Sequence, residues 1–323
     1  MRSQERKTVT LLVPLYNEVD VLPILHRRLV TVTARLRRFD FEILLVNDGS
    51  SDDSLRIMKE LAAEDANVTF VSLSRNFGKE AAIIAGLDAA RGDCVVILDA
   101  DLQDPPELIP RMLEFWEEGY EDVFARRESR DGETWLKKWT SKVFYRVLER
   151  STDIPIQRDT GDFRLLDRKC VDALRELRES ERYTKGLFDW IGFRKQEITY
   201  ARDARAAGDT KWSYPKLIEF AIDGLTSFTT APLRWSTAMG FVVSIAALIY
   251  LIVIVVRALF GIDAVDGYPS LMAVILFLGG VQLVSLGIIG EYLGRVFNET
   301  KRRPLYVVSE IGSGAERSAA PHE

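Results

Sequence analysis

The segment CVVILDADLQD at residues 94–104 joins a short apolar run to a cluster of acidic and amide side chains. The run Cys94–Leu98 is continuous and apolar, as strands buried on both faces of a parallel sheet are. Carboxylates follow directly where this strand is predicted to end. Ligands of open α/β sheets bind outside the carboxyl ends of the strands. The segment therefore predicts an α/β fold with a polar site at one edge of its sheet.

The residues before this segment alternate between apolar runs and stretches with helical spacing. Three further strands are predicted at Val9–Pro14, Phe41–Val46 and Val68–Leu73. Helices are predicted at Val21–Arg38, Ser54–Glu64 and Glu80–Ala90. This alternation is typical of a doubly wound parallel sheet. The loops after the four strands should then share one rim, made of Tyr16–Glu18, Asn47–Gly49, Ser74–Asn76 and Asp99–Asp101.

The overall composition excludes several classes of function. The chain has 323 residues and a formal net charge of -5, which argues against a general nucleic-acid binder, so no nucleic-acid partner is expected. Its two cysteines, Cys94 and Cys170, are far apart in sequence, and it has only two histidines. Such a set makes neither a disulfide framework nor a zinc site. Any metal ion must be held mainly by oxygen ligands.

The long apolar runs lie almost entirely after Pro232. Trp235–Val256 and Leu271–Gly290 are uncharged and long enough for a hydrocarbon core, which needs about 20 residues. An acidic loop, Arg257–Pro269, separates them, and basic residues flank the pair. By the positive-inside rule both ends of this hairpin are cytoplasmic. A buried hairpin of a soluble protein is the alternative, but two uncharged runs with asymmetric flanks favour two spans of the cytoplasmic (inner) membrane.

Two amphipathic stretches precede the hairpin. In Glu133–Glu149, Trp, Leu and Phe recur at helical spacing opposite Lys and Arg, as in helices that lie in a membrane interface. A core-facing helix with a solvated basic side explains the same pattern equally well. A second such helix is expected near Tyr214–Phe228.

The sequence thus divides into four predicted parts. Residues 1–211 form a cytoplasmic domain, since Met1–Lys7 is polar and no signal-peptide core follows it. Residues 212–232 form a juxtamembrane amphipathic helix, and residues 233–293 form the transmembrane hairpin. Residues 294–323 form a cytoplasmic tail, expected to be disordered from Gly312 onward. Both termini are expected in the cytoplasm.

Asp99 and Asp101 lie two residues apart where the fourth strand is predicted to end. Two carboxylates in this arrangement can converge on one hard cation. Mg²⁺ or Mn²⁺ prefers such oxygen ligands and usually keeps substrate phosphates in its coordination shell. Acidic loops without a metal are common after strands, so it is the position on a ligand-binding rim that favours a metal here.

Several motifs occur together in a fixed order. They are VPLYNE at 13–18, VNDGSSD at 46–52, SRNFGK at 74–79, DADLQDPP at 99–106, TGDFRLL at 160–166 and AGDTK at 207–211. With the hairpin they cover nearly the whole chain. This set resembles family 2 glycosyltransferases and, within them, the polyprenyl-phosphate glycosyltransferases. The resemblance implies a Rossmann-like domain of the GT-A type with interfacial helices and a C-terminal two-helix transmembrane hairpin.

The resemblance also implies an activity. A sugar would pass from a nucleotide-sugar to a polyprenyl phosphate, such as undecaprenyl phosphate, at the cytoplasmic membrane face. The reaction would be a metal-assisted single displacement with inversion. A UDP-hexose such as UDP-glucose is the favoured donor, with GDP left open. A glycine-rich face on the second span favours homo-oligomers, and relatives of this kind suggest tetramers.

The resemblance assigns roles to individual residues. The nucleotide-sugar site would be formed by Pro14, Leu15, Tyr16, Glu18, Asp48, Lys79, Asp99, Ala100, Asp101, Arg205 and Lys211. The metal, Mg²⁺ or Mn²⁺, would be held by Asp99, Asp101 and Gln103. The acceptor phosphate would be held by Arg127, Arg130, Lys137, Lys138 and Ser141. A phosphate at a membrane surface needs cationic donors, and Arg offers two parallel hydrogen bonds. Attraction to anionic lipids is the alternative for these basic residues.

The catalytic residues implied by the resemblance are Asp162, as the base, and Asp101. A phosphate monoester has a second pKa of about 6, so the acceptor is largely a dianion at neutral pH and needs little deprotonation. Asp162 would then orient the acceptor, or hold Arg164 and Lys211, rather than remove a proton.

Two other functions compete with this interpretation. One is a processive polysaccharide synthase, but such enzymes usually carry more spans and a Gln-x-x-Arg-Trp motif, which the sequence lacks. The other is a non-catalytic nucleotide-binding membrane scaffold. It would not need the carboxylates Asp99, Asp101 and Asp162.

Overall fold

The computed structural model describes residues 6–127, 160–180, 182, 184–200, 231–259 and 268–314. These residues fall into two compact units. The larger unit contains the described residues up to 200 and the segment from Pro304 to Gly314. The smaller unit contains residues 231–303.

The first half of the larger unit alternates strands and helices. Its elements are β1 (Lys7–Leu15), α1 (Leu22–Thr33), β2 (Phe39–Asn47), α2 (Ser54–Glu64), β3 (Val68–Leu73), α3 (Lys79–Ala89) and β4 (Cys94–Ile97). A short 3-10 turn (Pro106–Leu108) leads into the second half. Its elements are α4 (Ile109–Glu117), β5 (Asp122–Arg127), β6 (Thr160–Asp167), α5 (Arg168–Glu176), α6 (Thr184–Trp190), β7 (Lys195–Tyr200) and β8 (Val308–Ser313).

The described residues form an eight-stranded sheet in the order β7-β5-β6-β4-β1-β2-β3-β8. The strands β4, β1, β2 and β3 are parallel to one another. This confirms the predicted α/β fold and places the ends of these four strands on one edge. The sheet is nevertheless mixed, because β6 runs antiparallel to β4 and β8 runs antiparallel to β3.

Both faces of the central strands are covered, which explains the apolar runs within them, such as Leu11–Val13 in β1 and Ile43–Val46 in β2. On one face of β1, the alternating side chains Val9, Leu11, Val13 and Leu15 pack in a cluster with residues of α1 and α4. On β1, Leu12 points to the other face, where α3 lies very close. A Cβ on Gly86 of α3 would lie 2.0 Å from the Cδ1 of Leu12. The absence of a side chain at Gly86 therefore sets the distance between α3 and the sheet.

The C-terminal segment forms an edge strand of this sheet. Residues of β8 pair with β3, so that Gly312 lies opposite Phe70 and Ser313 opposite Thr69. The expectation of disorder from Gly312 onward is wrong for these residues, and residues 315–323 lie outside the described ones. The physical reason is that β3 would otherwise present an unpaired row of backbone groups. Gly312 also leaves room for the Phe70 ring, which a Cβ would meet at 2.4 Å.

Side chains around β8 strengthen this attachment. The hydroxyl of Tyr306 donates to Asp88, at the end of α3, at 2.6 Å. Both terminal nitrogens of Arg178 donate to the same carboxylate at 2.8 Å. Lys59 pairs with Glu310 at 2.7 Å. The chain therefore leaves the larger unit before residue 231 and returns to it after residue 303.

The smaller unit consists of two long helices, α7 (Ala231–Leu259) and α8 (Tyr268–Thr300). Both predicted apolar runs are therefore helical. Within the described residues, the stretch Phe277–Thr300 is long and apolar enough to cross a membrane, and Ser236–Tyr250 is a shorter apolar stretch. Large apolar side chains on both helices are exposed, which is unlike the buried hairpin of a soluble protein. Exposed apolar surface of this size marks an interface with membrane or protein.

We predict that Gly49→Ala destabilises the larger unit more than Gly119→Ala. Both glycines have positive φ, +62° and +93°, so both substitutions meet the strain of about 1–2 kcal/mol that an L-residue carries there. Only at Gly49 would the Cβ also collide, at 2.2 Å from the carbonyl carbon of Arg75, whereas nothing lies within 4 Å at Gly119. The collision should add roughly 1–3 kcal/mol. Thermal unfolding followed by circular dichroism measures the difference, and equal losses would contradict this packing of the β2 and β3 loops.

Candidate functional site

The ends of β1, β2 and β4 and the start of α3 surround a cleft of about 340 Å³. It is lined by Pro14, Leu15, Tyr16, Glu18, Asp48, Asn76, Gly78, Lys79, Ala82, Asp99, Ala100 and Asp101. The structure thus brings together every residue predicted for the nucleotide-sugar site that lies in the described part of the chain. Gly78 and Ala82 were not among the predicted residues, and Asn76 was expected only on the rim.

The loops after β1 and β2 form one wall of the cleft because they are hydrogen-bonded to each other. The backbone N–H of Asn17 donates to the hydroxyl of Ser50 at 2.9 Å, and the Asn17 side-chain oxygen accepts from the N–H of Ser51 at 2.8 Å. The N–H of Glu18 donates to the hydroxyl of Ser54 at 2.9 Å. Beside this wall the ring of Tyr16 is 45% exposed and offers an aromatic surface to a ligand.

Asp48 is almost fully buried and holds the loop before α3. One carboxylate oxygen accepts from the N–H of Phe77 at 2.8 Å, and the other accepts from the N–H of Gly78 at 2.9 Å. Burial raises the pKa of Asp48, and the two backbone hydrogen bonds only partly oppose this effect. Asp48 therefore fixes the start of α3, and with it the position of Lys79. Its predicted contact with the base or ribose stays a prediction.

Three predicted residues from distant parts of the chain meet at Lys79. Its ammonium lies 2.7 Å from one oxygen of Asp99 and 2.8 Å from the other. It also lies 2.5 Å from an oxygen of Asp162. The pairing arises because Asp162 lies on β6, beside β4, and Asp99 follows β4. Lys79, which was predicted to lie near the nucleotide, thus contacts both the predicted metal ligand Asp99 and the predicted base Asp162.

These contacts shift the pKa values of the three groups. Partial burial lowers the pKa of Lys79, but the two carboxylates outweigh it and the net shift is upward. Burial raises the pKa of Asp162, but the nearby positive charges, that of Lys79 foremost, outweigh it and the net shift is downward. Burial raises the pKa of Asp99, and the neighbouring carboxylates of Asp162 and Asp101 add to this. At neutral pH Asp162 is therefore a carboxylate paired with an ammonium group.

The acidic loop after β4 is held by its own side chains. The N–H of Asp99 donates to Asp104 at 3.2 Å, and the hydroxyl of Tyr200 donates to the other oxygen of Asp104 at 3.1 Å. An oxygen of Asp101 accepts from the N–H of Gln103 at 3.1 Å. Between them Leu102 has a φ of +62°. Sequence reasoning missed Asp104 as a positioning residue, since nothing in the motif distinguishes it from the other acidic residues.

The predicted metal ligands fit a cation that is shared with a substrate. Among the described residues, no group of three or more His, Cys, Asp or Glu side chains is placed to hold a metal ion. Asp99 and Asp101 line the cleft and offer only oxygen donors, which suit Mg²⁺ or Mn²⁺. Gln103 is buried and does not line the cleft, because the turn at Leu102 draws it inward. Two carboxylates leave most coordination positions to phosphate oxygens and water.

One expectation about the charges beside Asp162 is wrong. Arg164 does not pair with Asp162: its guanidinium donates to the buried Asp122 at 3.1 Å and stacks 3.7 Å from the centre of the Phe188 ring. The charge of Lys185, near the start of α6, helps to lower the pKa of Asp162, and the charge of Arg164 adds to this effect without an ion pair. The start of α6 is tied to α3 by a hydrogen bond from the N–H of Thr184 to Glu80 at 3.3 Å. The sequence carried no signal for Lys185.

Several predicted residues lie outside the described part of the chain. They are Arg130, Lys137, Lys138, Ser141, Arg205 and Lys211, together with both predicted amphipathic helices. Arg127 ends β5, where only its backbone is described. The predicted acceptor-phosphate site therefore has no structural description.

Comparisons with known proteins place the chain among sugar-transferring enzymes. The family described as Glycosyl transferase family 2 matches residues 10–175, and the GtrB C-terminal hairpin matches residues 231–296. The uncharacterized glycosyltransferase sll0501 of Synechocystis is 49% identical, over 94% of this chain and 95% of its own length. The prophage bactoprenol glucosyl transferase homolog of Escherichia coli K12 is 40% identical, over 94% and 99%. Glucosyl-3-phosphoglycerate synthase of Mycobacterium tuberculosis, solved with Mn²⁺ and UDP-glucose, is 16% identical over 67% and 75%, with a TM-score of 0.43.

Proposed function

The chain belongs to glycosyl transferase family 2, and from this membership we propose that it transfers a hexose from a nucleotide-sugar to a polyprenyl phosphate at a membrane surface. It is a glycosyltransferase, and the relatives that it matches over nearly their whole length include bactoprenol glucosyl transferases. The observation that carries the proposal is the meeting of Lys79, Asp99 and Asp162 beside the cleft. In this arrangement Asp99, proposed to lie beside the donor diphosphate, is next to Asp162, a carboxylate proposed to orient the acceptor.

The donor is proposed to lie along the cleft with its nucleoside against Tyr16 and its diphosphate beside Asp99 and Asp101. The cleft volume of about 340 Å³ is within the range of small-molecule sites. We favour a UDP-hexose, and UDP-glucose first, because relatives carry the name bactoprenol glucosyl transferase. Mg²⁺ or Mn²⁺, when bound, stabilises negative charge on the departing nucleoside diphosphate. Arg205 and Lys211 are proposed to close over that diphosphate.

The acceptor is proposed to be undecaprenyl phosphate or a related polyprenyl phosphate. Its phosphate would be held by Arg127, Arg130, Lys137, Lys138 and Ser141. One of its oxygens would attack the anomeric carbon in a single displacement with inversion. Because this oxygen is already charged at neutral pH and the pKa of Asp162 is lowered, Asp162 acts by orienting the acceptor rather than by removing a proton.

We propose that the hairpin crosses the cytoplasmic membrane twice and leaves the catalytic unit in the cytoplasm. The connectivity supports this topology, since the chain enters the hairpin from the larger unit and returns to that unit as β8. A segment that must rejoin the same folded unit requires both ends of the hairpin on one side. The basic residues after α8, including Lys301 and Arg302, favour the cytoplasm for that side under the positive-inside rule. A homo-oligomer, such as a tetramer, remains part of the proposal.

The proposed function predicts lipid-linked sugar formation by the purified full chain in detergent. The protein is incubated with undecaprenyl phosphate, Mn²⁺ or Mg²⁺ and a panel of labelled UDP- and GDP-sugars, and the lipid product is identified by mass. We expect one hexose to be transferred, with loss of transfer on chelation. Asp101→Ala should lower the rate at least about 100-fold. Folded protein that transfers no sugar from any donor would contradict the proposal, and full cellular function of Asp101→Ala would favour a non-catalytic scaffold.

We predict that Asp162→Asn lowers kcat by about 100-fold or more while the affinity for the nucleotide changes little. The amide keeps the size of the side chain but cannot pair with Lys79 or orient the acceptor electrostatically. The rate of the wild-type enzyme should decrease below a pH of about 6, where the acceptor phosphate gains a proton. Asp172→Asn, an exposed carboxylate on α5, is the matched control and should be silent. Normal turnover of Asp162→Asn with intact nucleotide binding would exclude a role for this carboxylate.

The proposed topology predicts opposite labelling of two introduced cysteines. Asp263→Cys, in the acidic loop predicted between the spans, should react with an impermeant maleimide on intact spheroplasts. Ser309→Cys, exposed on β8, should react only after lysis. The native thiols of Cys94 and Cys170 are buried and should give little background. Labelling of Ser309→Cys from outside would overturn the topology.

A further inference from the structure

The ammonium of Lys79 contacts the carboxylate of Asp99, which is also a predicted ligand of the metal ion. It lies within hydrogen-bond distance of both oxygens of Asp99, at 2.7 and 2.8 Å. A Mg²⁺ ion must come to about 2.0–2.1 Å from its oxygen ligands. An ion in this position would lie a few ångströms from the ammonium group, and the two positive charges would repel each other strongly in a partly buried site. The Lys79 ammonium therefore cannot keep its contacts with both oxygens of Asp99 while a metal ion is bound to that carboxylate.

The surrounding charges explain why the lysine takes this position when no ligand is bound. Asp99 and Asp101 line the cleft, and the largely buried Asp162 lies behind Lys79, which it contacts together with Asp99. Lys79 is the cation in contact with two of them within the described residues. One oxygen of Asp162 has no hydrogen-bond partner in that part of the chain, and the Lys79 ammonium contacts the other oxygen. Without a counter-ion these carboxylates would repel one another.

We propose that Lys79 is a resident counter-ion that a divalent metal must displace from Asp99, and that the diphosphate of the donor receives the displaced ammonium. The inference deepens the proposed function and rests on it for the metal ligands. It makes Lys79 a positioning residue that couples metal binding to nucleotide binding. A metal ion alone meets a competing charge, whereas a metal ion with a nucleoside diphosphate supplies the ammonium with new partners.

Manganese binding to the full chain in detergent tests this competition without any transfer reaction. Free Mn²⁺ is measured by electron paramagnetic resonance in the absence of nucleotide. Lys79→Met removes the ammonium and keeps most of the side-chain length. We expect it to bind Mn²⁺ at least tenfold more tightly than the wild type, a change of about 1.4 kcal/mol. Lys79→Arg keeps the charge and should bind Mn²⁺ as weakly as the wild type.

Two further variants separate displacement from a general charge effect. Lys59→Met removes a lysine of matched side-chain exposure, 46% against 44%, that pairs with Glu310. Lys185→Met removes a nearby charge that acts on Asp162 and makes no ion pair with Asp99 within the described residues. Lys59→Met should leave Mn²⁺ affinity unchanged, and Lys185→Met should change it far less than Lys79→Met. An equal gain in Lys185→Met would overturn the proposal.

The coupling to nucleotide is tested by repeating the titrations with UDP. In the wild type UDP should raise Mn²⁺ affinity strongly, and in Lys79→Met this enhancement should shrink, because coupling between two ligands is reciprocal and depends on the shared group. An unchanged Mn²⁺ affinity in folded Lys79→Met, with UDP-enhanced binding intact in the wild type, overturns only the present inference. Absence of Mn²⁺ binding in every protein, with and without UDP, would instead remove the metal site from the proposed function.

Discussion

The ion contact between Lys79 and the carboxylates of Asp99 and Asp162 is the interaction on which the site depends. It connects three elements that are separated in sequence: the start of α3, the loop after β4 and the strand β6. Carboxylates that approach one another away from water require a counter-charge, since desolvation and mutual repulsion both act against them. The lysine supplies this charge from within the chain. The cleft can therefore keep its shape in the absence of a nucleotide or a metal ion.

Helix α3 carries this interaction and links it to the rest of the larger unit. Its first residues are positioned by Asp48, whose carboxylate binds the backbone of the preceding loop. Its middle lies against Leu12 at Gly86, where a side chain would not fit. Its last carbonyl groups accept hydrogen bonds from Arg175, and Asp88 near its end binds Tyr306. One rigid helix thus extends from the cleft to the segment that comes after the hairpin.

Local pattern was sufficient to predict the central sheet and much of the cleft. The strands β1 to β4 carry apolar runs because their central parts are buried on both faces, and the loops at their ends could be assigned to one edge. The contact of Asp162 with Lys79 could not be read in this way, because β6 joins β4 only through the tertiary fold. Asp104 and Lys185 gave no local signal, and neither the positive φ of Leu102 nor the burial of the neighbouring Gln103 is visible in sequence.

The strand β8 was missed for a related reason. Residues 308–313 have a mixed pattern with few apolar residues, and their stability as a strand comes from the exposed edge of β3, which lies more than two hundred positions earlier in the chain. Prediction from sequence recognised the hairpin as a membrane segment but treated the residues after it as a free tail. The attachment depends on non-local backbone pairing and on the contact of Tyr306 with Asp88.

This attachment fixes an order of events in biosynthesis. Domains form from the N-terminus as the chain is made, at about 5–20 residues per second, so most of the sheet is available early. Its last strand is synthesised only after both helices of the hairpin have emerged. The edge of β3 therefore stays unpaired until both helices of the hairpin have been made, and β8 joins the sheet only afterwards. The completion of the sheet is in this way coupled to the synthesis of the hairpin helices.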